Sequence, residues 1–129
     1  MHAILLKKFL CWENGVLQKL PAGFLKCNVD CALFSANTVM GIDLCFRDVE
    51  GIFVRGRTTW SRGSVTVAEE EAVALLDSLQ LAHSQGLQQV IFKTDSKAIV
   101  NAINSPSRFM TEQANIVNQC KSILSLHTD

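Results

Sequence analysis

Leu25-Lys26-Cys27-Asn28-Val29-Asp30-Cys31-Ala32-Leu33 sets apolar residues at odd positions against mostly polar ones at even positions. A period of two held this long predicts a strand. Asp30 then shares a face with Asn28 and Lys26. A strand aspartate is ordinarily a solvated residue or a turn capper, yet turn residues come only later, at Ser35-Ala36-Asn37.

Downstream, Met40, Ile42, Leu44 and Phe46 alternate with Gly41, Asp43, Cys45 and Arg47, which predicts a second strand. Asp48-Val49-Glu50-Gly51 has the composition of a turn. Ile52 to Trp60 reads as a third strand, forming a hairpin with the second and a meander with the first. Ser61 to Ser64 is a polar loop. Val67 to Gln85 is the strongest helix, with Ala68, Ala72, Leu75, Leu76, Leu79 and Ala82 at helical spacing. Three glutamates in its first turn suit the positive end of the helix dipole, and Gly86 is a natural stop.

Val90-Ile91-Phe92 is a continuous apolar run, the mark of a strand covered on both faces. It leads into Thr94-Asp95-Ser96, with Ser96 placed to cap a short helix. Ile99, Val100 and Ile103 mark that helix, and Asn104-Ser105-Pro106 breaks it. A last helix spans about Thr111 to Leu126. Residues 1–23 have no clean periodicity and carry Trp12, Gly15, Pro21 and Gly23, the make-up of a leader or linker. The order of elements predicts an α/β domain: three antiparallel strands, then a helix and a fourth strand in a mixed sheet, then two helices.

The 129 residues suit one domain, and 48% apolar residues suffice for one packed core. Lysine plus arginine equals aspartate plus glutamate at twelve each, which excludes a strongly basic, sequence-independent polyanion binder. Any contact with nucleic acid has to be local or metal-assisted. Five cysteines, Cys11, Cys27, Cys31, Cys45 and Cys120, form no CxxC pair and no zinc spacing, so free thiols in a reducing compartment are expected. The N-terminal apolar run is too short for a signal peptide, and no stretch reaches the length of a membrane span. An intracellular protein without a membrane partner is the expectation, with nucleus and cytoplasm left undecided. The phenylalanines and Trp60 are expected in the core rather than as base-stacking platforms, and Asp43 and Asp48 on the hairpin surface. His2, His83 and His127 have no partner at ligand spacing, and nothing suggests a covalent nucleophile.

Three acids stand where this topology can gather them: Asp30 in the first strand, Asp95 at the carboxyl end of the fourth, and a glutamate in the first turn of the long helix. Carboxyl strand ends of open α/β sheets are where sites form. At 100° per residue, the apolar stripe centres between Ala68 and Ala72. Glu70 then falls on the far side, while Glu69 and Glu71 flank the stripe at roughly 80° each. Helix geometry leaves Glu69 and Glu71 both open.

In series, these segments resemble the plant reverse-transcriptase-like ribonuclease H family. Leu25-Lys26-Cys27-Asn28-Val29-Asp30 is similar to its opening strand, and Gly41 to Gly51 to its hairpin. Glu71-Ala72-Val73-Ala74-Leu75-Leu76-Asp77-Ser78-Leu79 resembles its helix, and Val90 to Ser96 its fourth strand end. Trp12 and Pro21-Ala22-Gly23 resemble its leader. The resemblance runs from about residue 12 to 129 and places the family's catalytic glutamate on Glu71.

The resemblance implies a ribonuclease H-like mixed sheet with helices on both faces. It also implies endonucleolytic hydrolysis of the RNA strand of an RNA–DNA hybrid, and Mg2+ or Mn2+ held by Asp30, Glu71 and Asp95. Asp30 and Asp95 would bind metal directly; Glu71 would bind metal or position water and sense the 2′-hydroxyl that marks RNA. An upstream reverse transcriptase domain in the parent protein is a further implication. The family's last strand, its closing helix and their acidic or histidine group have no counterpart before Asp129. Residues 24–129 are therefore expected to be a domain incomplete at its C-terminus, following a leader at 1–23, with His127 and Asp129 as tail positions. The alternative function is a non-catalytic nucleic-acid-binding or remnant domain of a retroelement-derived protein.

Overall fold

In a computed structural model of the chain, residues 2–5, 11–12, 23–34, 39–62, 66–105 and 112–126 are described. They form strands β1 (His2–Leu5), β2 (Cys11–Trp12), β3 (Leu25–Phe34), β4 (Val39–Arg47) and β5 (Phe53–Arg62). Helix α1 (Val67–Ser84), strand β6 (Val90–Thr94), and helices α2 (Lys97–Asn104) and α3 (Glu112–Ser125) follow. The strands make one sheet in the order β2-β1-β6-β3-β4-β5. β3, β4 and β5 are the expected antiparallel meander, and β6 pairs parallel with β3. Residues 1–23, read without an element, contribute β1, which pairs antiparallel with β6, and β2 beside it. Pro106, His127 and Asp129 lie outside the described residues.

Local chemistry fixes the joints. In the β4–β5 turn, Asp48 Oδ1 accepts from the backbone N–H of Glu50 and of Ile52, each at 2.9 Å, and Gly51 takes the left-handed φ of 81° that glycine adopts without steric cost. Thr66 caps α1 by accepting from Glu69 N–H. At the other end Leu87 N–H donates to Ala82 carbonyl across Gly86, whose φ is 70°, a Schellman-type stop. Ser96 caps α2 as expected, its hydroxyl accepting from Ile99 N–H at 3.1 Å.

The core lies on one face of the sheet. Cys27 and Val29 of β3, Met40, Ile42, Leu44 and Phe46 of β4, and Val90 and Phe92 of β6 join buried residues of α1, α2 and α3 in one cluster. Cys27 pairs in register with both Phe46 and Phe92, so the two rings flank its small side chain. They meet edge to face at 6.5 Å between centroids, a favoured aromatic geometry. The resemblance implies helices on both faces; among the described residues all three helices feed this one cluster.

The other face carries Lys26, Asn28, Asp30, Asp43, Cys45 and Arg47, none of them buried. Two expected core residues belong here instead. Trp60 is 61% exposed and Phe53 57%. The physical reason is position: β5 is the last strand of the sheet, and all ten of its residues are exposed. Among the described residues Cys27 and Cys120 are free and buried, and Cys31 and Cys45 free and partly buried. Among the described residues no helix is long and apolar enough to cross a membrane.

Candidate active site

Three elements bring the site together. β3 carries Asp30 at its middle, opposite Asp43 of β4. Glu71 follows the first turn of α1, which carries Glu69 and Glu70. Asp95 follows β6 directly, in a junction locked from both sides: Ser96 N–H donates to Thr94 Oγ1 at 3.2 Å, and Ser96 Oγ accepts from α2. Asp30 and Asp95 are exposed and Glu71 half-buried. All three line one cavity of about 370 Å³, together with Cys31, Thr94 and Glu70.

Electrostatics reports the same convergence. The Cys31 thiol is pushed up to about 12, first by burial and then by the negative charges of Glu70, Glu71, Asp30 and Asp95. A thiolate there would join four carboxylates, and like charges oppose ionisation.

Glu70 departs from the helical-wheel expectation. It is 1% exposed, and its Oε1 is buried with no hydrogen-bond partner among the described residues. Burial raises its pKa, and the neighbouring charge of Glu71 raises it further. The cause is the roll of α1. Its buried residues are Glu70, Ala72, Ala74, Leu75, Ser78, Leu79 and Ala82, which centre the inward stripe near the direction of Glu71, about 70° from the Ala68–Ala72 axis at the helical step. Ala68, Val73 and Leu76 are only partly buried. Glu70 then sits at the margin facing the cavity and Glu71 near the middle. The signal was present in the small residues Ala74 and Ser78, four and eight positions after Glu70. Small side chains let α1 approach the sheet, and Ser78 satisfies its hydroxyl on Leu75 carbonyl at 2.6 Å.

The donor set is one of hard oxygens, the chemistry magnesium prefers, and the orphaned Glu70 oxygen gives the cavity a further unsatisfied acceptor. Among the described residues no group of three or more acid, thiol or imidazole side chains is close enough to hold an ion directly between them. An ion that keeps part of its water shell tolerates such spacing.

Comparisons with known proteins agree with this architecture. A family model described as reverse transcriptase-like matches residues 28–128. RNase H1 from the halophilic archaeon Halobacterium salinarum NRC-1 superposes with a TM-score of 0.67 at 16% identity, over 80% of this chain and 78% of that one. The N-terminal RNase H domain of a Mycobacterium tuberculosis protein, solved as a fusion with maltose binding protein, gives 0.68 at 14% identity, over 81% and 77%. No curated protein matches the chain at a significant level. With the strand order, the acid-lined cavity and a family match over most of its length in agreement, the chain belongs to the reverse transcriptase-like family and has the ribonuclease H-like fold.

Proposed function

We propose that this chain is a nuclease domain that uses Mg2+ or Mn2+ to hydrolyse the RNA strand of an RNA–DNA hybrid. The observation that carries the reading is that Asp30, Glu71 and Asp95, remote in sequence, line a single cavity. Asp30 and Asp95 offer exposed carboxylates from two adjacent, parallel strands, and those two would hold the cation with Glu71. When bound, such an ion supplies a more readily deprotonated water and neutralises charge on the reacting phosphate. Glu71, half-buried near the capped start of α1, would orient water or the 2′-hydroxyl that distinguishes RNA from DNA. Glu70, buried in the same cavity, adds a further oxygen acceptor.

The test is cleavage of a labelled RNA–DNA hybrid with Mg2+. Asp95→Asn and Asp30→Asn should each reduce the rate by about 100-fold or more, as removal of a directly acting group does. Equal rates in wild type and both variants would remove the enzymatic reading. The spacing of the donors favours a second reading, a domain that binds nucleic acid without cutting it. Hybrid binding without cleavage, indifferent to Asp95→Asn, would select it.

A further inference from the structure

The opposite face of the sheet, on which Ile91 of β6 is buried, exposes two aromatic rings along β5, each lying over a glycine. A Cβ built on Gly41 would stand 3.0, 3.3 and 3.3 Å from three atoms of the Trp60 ring. Three near-equal contacts mean that the indole lies with one face against the β4 backbone. A Cβ on Gly56 would stand 3.0 and 3.2 Å from two atoms of the Phe53 ring. Both rings remain more than half exposed. Glycine at the two supporting positions leaves room for the rings to lie down rather than stand off the sheet. Gly56 and Trp60 are four residues apart on one strand, about 13 Å at the usual rise.

Charge on this face is graded. At the Phe53 end, Lys26 of β3 pairs with Arg47 of β4, and Lys93 of β6 pairs with Asn28. Lys26 is close enough to Lys93 to lower its pKa, after burial. Between the rings lie Asp30 and Asp43, the latter accepting from the Thr58 hydroxyl. Phosphate is repelled there, so bases rather than backbone suit that stretch. Asp30 also lines the acid cavity and the two hollows that hold Trp60 and Phe53, so the face is continuous with the candidate active site.

We infer that this face binds single-stranded nucleic acid, its bases stacking on Phe53 and Trp60 and its phosphates meeting Lys26, Lys93 and Arg47. Exposed rings beside a cationic track are how strands are held without regard to sequence. An unpaired stretch flanking a hybrid would thereby be held next to Asp30. The inference takes its choice of ligand from the nuclease reading, but its test does not depend on cleavage.

The experiment is fluorescence anisotropy of labelled fifteen-residue oligothymidylate with the whole chain in EDTA, where no metal-dependent step operates. Phe53→Ala and Trp60→Ala should each weaken binding by about tenfold, within the range measured for base–aromatic stacking. Trp60→Phe should recover most of that loss, and blunt duplex DNA of equal length should bind at least tenfold less well, since its bases are already stacked. Failure of the wild type to bind, or affinity unchanged by both alanine variants, or equal binding of the duplex, overturns the inference. So does sedimentation showing a dimer that Trp60→Ala dissociates, which would assign the face to a second copy of the chain. Cleavage of blunt hybrids lost in Asp95→Asn would keep the nuclease reading standing whichever way this assay falls.

Discussion

The same strands present two faces that obey different rules. On one, Cys27, Val29, Ile42, Leu44, Phe46, Val90 and Phe92 are sealed beneath three helices. On the other face of the same sheet, Phe53 and Trp60 of β5 face solvent beside lysines, arginine and aspartates. The contrast teaches that aromatic content does not decide what an aromatic residue is for. Phe92 and Phe53 are chemically identical, yet one is tied into a packed interior and the other is spread over a glycine on an open edge.

Substitutions put that contrast to the test in descending order of effect. Phe92→Ala should cost about 3–5 kcal/mol in urea unfolding, as emptied aromatic core sites do; a loss below 1 kcal/mol would mean that the covered face is loosely packed. Gly56→Ala comes next, at about 1–3 kcal/mol for forced overpacking. Its new methyl meets both the Phe53 ring and the Leu44 carbonyl at 3.2 Å, and backbone cannot yield. Gly41→Ala should cost less, because only the exposed Trp60 ring has to move. Trp60→Ala should change stability by no more than about 0.5 kcal/mol, the range of exposed sites.

Asp77 adds a test at the flank of α1 that faces β5. Burial raises its pKa, and the Arg57 charge partly offsets the rise. The unfolded chain therefore ionises first as pH climbs, so this residue should lower stability from the ordinary aspartate pKa up to its raised folded value, and leave it flat above. Asp77→Asn should remove that decline from a pH series of unfolding midpoints; an unchanged series would mean that the side chain is solvated. Cys31 offers a chemical comparison. Half-exposed though it is, its thiol, raised to about 12, should alkylate far more slowly at pH 8 than a free thiol, as peptide mapping after timed iodoacetamide treatment would show.

Much of the fold was legible because period-two and period-3.6 patterns survive wherever one face is buried. β3, β4, α1 and α3 emerged within a residue or two of their observed limits. Ser96 was read correctly as a cap because capping depends on neighbours in sequence. What failed depended on partners distant in sequence. The roll of α1 was misjudged because Ala68 and Ala72 are apolar yet weakly informative, whereas the close approach permitted by Ala74 and Ser78 turned Glu70 inward. Phe53 and Trp60 were assigned to the core because nothing local says that β5 is an edge. His2–Leu5 carries too few residues to show a period, and its place is defined by β6. Of the cavity-lining set, Asp30 and Asp95 were legible from their places on the strands, whereas the choice of Glu71 came through the family resemblance, helix geometry leaving Glu69 and Glu71 equivalent.

The seat of β6 between β1 and β3 also imposes a timetable on biosynthesis. Residues 6–89 must be translated after β1 before its partner exists, which at ~5–20 residues per second takes roughly 4 to 17 seconds. Through that interval the meander of β3, β4 and β5 can form while the inner edge of β3 stays bare. The nascent chain thus passes through a stage in which a long, apolar strand edge awaits its neighbour, the kind of edge that ribosome-associated chaperones shield.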